Sequence, residues 1–166
     1  MTPHQAQFFK VARHPFQFRL YLMKKLPAAY FSGVRILEID EQHCTTRVRF
    51  KWLTQNPFRS IYFASLAMAA ELSSGALVLS NVFGRKPSVS MLVVKMEAEF
   101  YKKATGKIQF TCLQGEEITR AVDQTVGTGQ PVSFTARAEG KNQEGITVAV
   151  FTFHWSLKAK SPVNPG

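Results

Sequence analysis

The stretch Ile61–Val82, IYFASLAMAAELSSGALVLSNV, holds a single charged residue, Glu71. It reads as a helix that is apolar around nearly its whole circumference. Such a helix is a buried one, because a surface helix carries a polar stripe. Its length alone would also nearly span a bilayer. Glu71, Asn81, Gly75 and the four serines argue for a core helix instead. A carboxylate buried without a partner costs several kcal/mol, or shifts its pKa until it is neutral. Glu71 is therefore either paired or put to use. Ala67, Ala70, Ser73, Ser74 and Gly75 are small and leave room for another group beside it.

Outward from the helix, strand patterns lie on both sides. Val34–Asp40 and Cys44–Trp52 flank a polar turn at Glu41–His43. In the second, Val48, Phe50 and Trp52 alternate with Arg47, Arg49 and Lys51, the period-2 mark of a half-buried strand. Asn56–Ser60 is a turn, with Ser60 placed to cap the helix. After the loop Phe83–Pro87 come strands over Val89–Lys102, Lys107–Gln114, Val132–Gly140 and Ile146–Leu157. A short helix at Glu116–Val126 joins the second of these to the third, and Lys141–Gly145 makes a hairpin. Strands, one long apolar helix, then antiparallel strands form an α+β pattern, with a sheet wrapped around the helix.

Composition sets the wider limits. The chain has 166 residues, 45% hydrophobic and 19% charged, enough for one domain with a real core. Cys44 and Cys112 are far apart and suggest neither a disulfide framework nor a metal site, which fits a reducing cytoplasm. The net charge of +10 is spread over Lys24–Lys25, Arg47/Arg49/Lys51, Arg85–Lys86, Lys102–Lys103 and Lys158/Lys160. No nucleic-acid-binding motif accompanies it. Residues 1–37 are basic, aromatic and free of acids. They predict an N-terminal helical extension over about 4–27, with a helix at Phe16–Lys25 stopped by Pro27. Packing of that helix on the body of the fold is favoured over membrane attachment. The tail, about 160–166, reads as frayed.

Two segments resemble the hotdog-fold acyl-coenzyme A thioesterase superfamily. One is Asn56–Gly75, N-P-F-R-S-I-Y-F-A-S-L-A-M-A-A-E-L-S-S-G. The other is Met96–Ile108, M-E-A-E-F-Y-K-K-A-T-G-K-I. The chain looks most similar to a poorly characterised branch near the phenylacetate-pathway-type thioesterases. The resemblance implies a hotdog fold with an extra N-terminal helix, an acyl-coenzyme A substrate and no cofactor. It maps Glu71 onto the family's catalytic carboxylate and Asn56 onto its Asn. Tyr62, Phe63 and Ala64 stand where the family has His-Gly-Gly, so Tyr62 takes the donor position and Phe63 and Ala64 the substrate-facing amides. Ser74 and Gly75, beside Glu71, are expected at the substrate site, with Ser74 or Ser73 positioning the water. Arg85, Lys86, Lys102 and Lys103 are expected to meet the phosphates of the coenzyme.

Helix geometry adds a constraint. Glu71 lies about 13 Å along the axis from Tyr62–Phe63. A base and an oxyanion donor acting on one carbonyl must both reach it within about 3 Å. Two antiparallel helices from two copies satisfy this, so a homodimer or a dimer of dimers is expected. The function that follows is thioester hydrolysis with Glu71 as general base. The alternative is a non-catalytic acyl-coenzyme A or fatty-acid binding protein. His43, His154 and Cys112 read as structural.

Overall fold

The computed structural model describes residues 1–160. The expected tail lies almost wholly outside them. Three helices open the chain: α1 (Pro3–Arg13), α2 (Pro15–Lys25) and α3 (Pro27–Ser32). The helix expected over Phe16–Lys25 is α2, and a further helix lies on each side of it. Pro3, Pro15 and Pro27 do not interrupt a helix. Each occupies the first turn of one, where a missing N–H removes no hydrogen bond and the fixed φ already suits the helix.

Strands β1 (Arg35–Ile39) and β2 (Cys44–Arg49) follow. The second stops short of Trp52, which sits in a 3-10 turn (Trp52–Thr54) and is 79% exposed. The inward positions of β2 are thus Cys44, Thr46 and Val48, and Trp52 does not continue them. The long helix α4 spans Phe63–Val82. Tyr62 is its N-cap and no side chain caps it, so Ser60 is not the cap. The rest comprises β3 (Val89–Phe100), β4 (Lys107–Cys112), α5 (Gly115–Thr128), β5 (Val132–Lys141) and β6 (Thr147–Ala159).

The six strands form one antiparallel sheet in the order β1-β2-β4-β5-β6-β3. Inward residues of the sheet, among them Val48, Ile108, Phe110, Ala136, Ala138, Phe151, Phe153 and Trp155, join Leu66, Ala69, Leu77 and Val78 of α4 in one core. Helix α4 packs on β2, β4 and β5, with α5 beside it and α1 and α3 closing further flanks. It is long and apolar enough to cross a membrane, but most of it is enclosed by the fold. Its polar side chains fit because they bond locally. Ser73 and Ser80 donate to the carbonyls of Ala70 and Leu77 at 2.7 and 2.8 Å. Asn81 ties three helices together: its Oδ1 accepts from Gln5 of α1 and Thr119 of α5, each at 3.0 Å.

Candidate functional site

Glu71 lies midway along α4, on the side turned toward the N-terminal helices. It opens into an apolar cavity of about 250 Å³ lined by Phe8, Phe18, Tyr21, Leu72, Leu79 and Met91. Its carboxylate fits against its own helix because residue 75 is glycine: a Cβ there would lie 2.6 Å from Glu71 Oε1. The room read from the small residues is thus filled first by the Glu71 side chain. Among the described residues no cation is within ion-pair distance of Glu71. Burial pushes its carboxyl up to about 7. Burial, and then the Glu71 charge, also raise the Tyr21 hydroxyl. A carboxylate with an apparent pKa near neutral is matched to general base chemistry.

Sequence reasoning missed the walls of this cavity. Phe18, Tyr21, Leu22 and Lys25 form the i, i+3, i+4, i+7 face of α2, and Phe18, Tyr21 and Lys25 reach the cavity. That spacing was the available signal. Ser74 points elsewhere: its hydroxyl donates to Glu71 O at 3.1 Å and accepts from Trp155 Nε1 at 3.3 Å. It secures the turn that carries Glu71 to the sheet.

The start of α4 is a separate, open region. Asn56 Oδ1 accepts from the N–H groups of Phe58 (3.0 Å) and Ser60 (3.2 Å) and from Ser60 Oγ, folding the loop before the helix. Arg59 holds a left-handed φ of 57° within it. The Tyr62 N–H donates to Thr54 O at 2.7 Å, while Ser65 and Leu66 donate to Tyr62 O. The N–H groups of Phe63 and Ala64 are left without an acceptor among the described residues, as the first turn of an uncapped helix requires. The rings of Tyr62 and Phe63 stack edge to face, 4.8 Å between centroids, and both are about half exposed. Asn56, Tyr62, Phe63, Phe100, Lys102 and Lys103 line one shallow pocket here.

The four expected phosphate contacts do not fall together. Lys102 and Lys103 lie at the helix start, whereas Arg85 lies past the helix end. Arg85 is also engaged, with Asp123 at 2.6 Å and the Asn81 carbonyl at 3.1 Å, and Lys86 follows it in the same loop. Both histidines have acidic neighbours, one close in sequence and one far from it. His43 lies 3.0 Å from Asp40, and His154 lies 3.1 Å from Glu97 on the outer face of the sheet. Cys44 and Cys112, distant in sequence, are directly opposed on β2 and β4, and both are free and buried. Among the described residues no three His, Cys, Asp or Glu side chains converge to hold a metal ion.

No curated protein matches the chain in sequence. Solved structures do match in fold. A Pseudomonas aeruginosa protein of unknown function, described as a probable thioesterase, is 21% identical with a TM-score of 0.74, over 88% of this chain and 97% of that one. A Haemophilus influenzae thioesterase is 12% identical with a TM-score of 0.62, over 87% and 92%. The Escherichia coli PaaI protein from the phenylacetic acid degradation operon is 15% identical with a TM-score of 0.61, over 91% and 96%. The shared architecture is the hotdog fold, a sheet wrapped around one long helix. Residues 17–157 match the family described as a domain of unknown function, DUF4442, and to that family the chain belongs.

Proposed function

We propose that the protein hydrolyses acyl-coenzyme A thioesters, with Glu71 as general base. The observation that carries this is Glu71 itself: the lone charge of the core helix, without an ion-pair partner, opening into an apolar cavity with its carboxyl raised to about 7. The thioesterases among the fold neighbours support the same reaction class. The ionised carboxylate takes a proton from a water as that water attacks the thioester carbonyl. The oxyanion that forms is held by the free amides of Phe63 and Ala64 and by the helix dipole behind them. The carbon–sulfur bond then breaks, and the thiolate leaves with the proton that Glu71 returns. Tyr62 stands at the same helix start as a hydroxyl donor, and Asn56 holds the loop that sets the amides in place.

Glu71 and those amides lie too far apart along α4 to meet one carbonyl, so the site is completed by a second copy. The open edge of β3 is where that copy fits. β3 has twelve residues and, among the described residues, pairs only with β6. It carries exposed Leu92, Val94 and Phe100, and Phe58, Tyr62 and Phe63 are exposed at the helix start. A long apolar edge of this kind invites strand pairing. A dimer joined there, with the two α4 helices antiparallel, brings each Glu71 toward the other copy's helix start.

A second reading keeps the ligand and drops the turnover: an acyl-coenzyme A or fatty-acid binding protein. The bulky Phe63 ring, where the thioesterases that the sequence resembles have glycine, favours it. Thiol release from a panel of acyl-coenzyme A thioesters, with light scattering for assembly, separates the two. Hydrolysis that is lost in Glu71→Gln supports the first. Tight binding without release at any chain length supports the second, and a monomer removes the composite site.

A further inference from the structure

Helix α2 is apolar on two opposite faces, and only one of them is covered. Phe18 and Leu22 point into the core, with Tyr21 packed beside them. Phe16, Leu20 and Met23, spaced i, i+4, i+7, form a stripe on the reverse face, and all three are exposed, Phe16 by 74%. Neighbouring elements extend that apolar surface. α3 packs on α2 and on the 3-10 turn, and these elements carry the exposed Phe31, Trp52 and Leu53. Lys51 Nζ donates to Phe31 O at 2.7 Å, and the Arg19 guanidinium lies 4.3 Å from the centre of the Tyr30 ring.

The charge around this surface is of one sign. Arg19 borders the stripe on one side and Lys24 on the other, by their positions around the helix. Beyond Arg19, a cavity of about 240 Å³ is lined by Arg13, Arg19, Arg35 and Arg47 together. Arg35 lies directly opposite Arg47 across β1 and β2, and Arg49 lies directly opposite Lys107 across β2 and β4. Like charges directly opposed in a sheet are destabilising, yet none of these residues, nor Arg19, Lys24, Lys25 or Lys51, has an ion-pair partner among the described residues. The nearest acids in sequence are engaged elsewhere: Glu38 and Asp40 are turned to His43, and Glu41 pairs with the amino terminus of Met1. Burial, and then repulsion from the neighbouring arginines, lower the pKa values of Arg47 and Lys51.

We infer that this face, the Phe16–Leu20–Met23 stripe with Phe31, Trp52 and the Arg19–Arg35–Arg47–Arg49–Lys51 cluster, seats the protein on the surface of an anionic lipid bilayer. An apolar stripe rimmed by cations is how a helix lies in a membrane interface, its apolar residues at the acyl boundary and its cations at the headgroups. An exposed tryptophan suits that boundary as well, its ring half in each phase. A second copy of the chain would bring the same uncompensated cations against themselves. A nucleic acid or a purely acidic protein surface would answer the charge and leave the apolar side chains of this face in water. An anionic bilayer answers both.

The test uses the whole chain and vesicles of phosphatidylcholine, alone or with about one-third phosphatidylserine. Co-sedimentation is expected to show partition about ten-fold or more stronger onto the anionic vesicles, weakening as salt is raised. The triple variant F16S/L20S/M23S should lose that partition, and Arg35→Gln with Arg47→Gln should lose its salt-sensitive share. One measurement needs no variant. The chain has two tryptophans, one exposed and one in the core, so lipids brominated on their acyl chains should quench Trp52 emission. Equal partition onto neutral vesicles, no partition at low salt, or unquenched Trp52 overturns the inference. So does binding of an acidic protein or an oligonucleotide by a chain that ignores vesicles.

Discussion

Helices α4 and α2 both show apolar side chains on opposite faces, and for opposite reasons. α4 is enclosed: sheet on one side, α5 on another, α1 and α3 beyond, with one carboxylate let into its wall. α2 is shared between two surroundings, its Phe18 and Leu22 in the core and its Phe16, Leu20 and Met23 in solvent. The same kind of apolar side chain therefore carries different energies in the two helices. In α4 a removed side chain leaves a void, while on the outer face of α2 it leaves only water. Buried polarity also differs: α4 satisfies its hydroxyls within the helix, and no buried side-chain polar atom among the described residues lacks a partner.

The contrast can be attacked first at Glu71. Glu71→Gln keeps shape and removes the proton acceptor, so thioester turnover should fall by ~10²–10⁴-fold, measured by thiol release. Next, Leu77→Ala in α4, a fully buried position, should destabilise by ~2–5 kcal/mol in urea unfolding. A third test is pH. The folded carboxyl of Glu71 sits at about 7 against an ordinary 4.5, so folding favours its protonated form. Its contribution is fully present below pH 4.5 and is lost as pH rises through 7. Up to ~3 kcal/mol is at stake, less what solvent at the cavity mouth screens. Wild type should lose that stability between those pH values, and Glu71→Gln should not.

Gly75→Ala sharpens the same point at smaller scale. The new methyl meets Glu71 Oε1, so the carboxylate must swing away and turnover should drop. Alanine's helix propensity, worth ~1 kcal/mol over glycine, should appear in the melting temperature only when Glu71→Ala has removed the clash. Coupling between the two sites in a double-mutant cycle checks this. The smallest effect belongs to α2: Leu20→Ala should change stability by no more than ~0.5 kcal/mol. A larger loss would mean that its outer face is covered, and the contrast would fail.

The helix at 61–82 and the alternating strands were legible because burial writes directly into periodicity. Val132, Phe134, Ala136 and Ala138 face inward as their spacing implies. The N-terminal helical extension was legible too, but its division into three helices was not, because a proline stops a helix or starts one depending on which side the chain continues. Glu71 was found as an isolated charge in an apolar run, but its cavity is built from α2, some fifty residues earlier in the chain. Adjacency in charge clusters misled as well. Arg85 and Lys86 were grouped with Lys102 and Lys103, and a twenty-residue helix holds the two pairs at opposite ends.

The strand order has a consequence for synthesis. β3 emerges before β4, α5 and β5, yet its one partner in the sheet is β6, the last of the described strands to be made. For that whole interval, twelve residues rich in Val, Leu and Met have a polar backbone and no ladder to join. β6 must then enter between β5 and β3 at once, zipping both of its edges. A nascent chain stalled before Thr147 holds an unsatisfied strand on each side of the gap. It is at this stage that the protein is most exposed to pairing with another unfinished copy of itself.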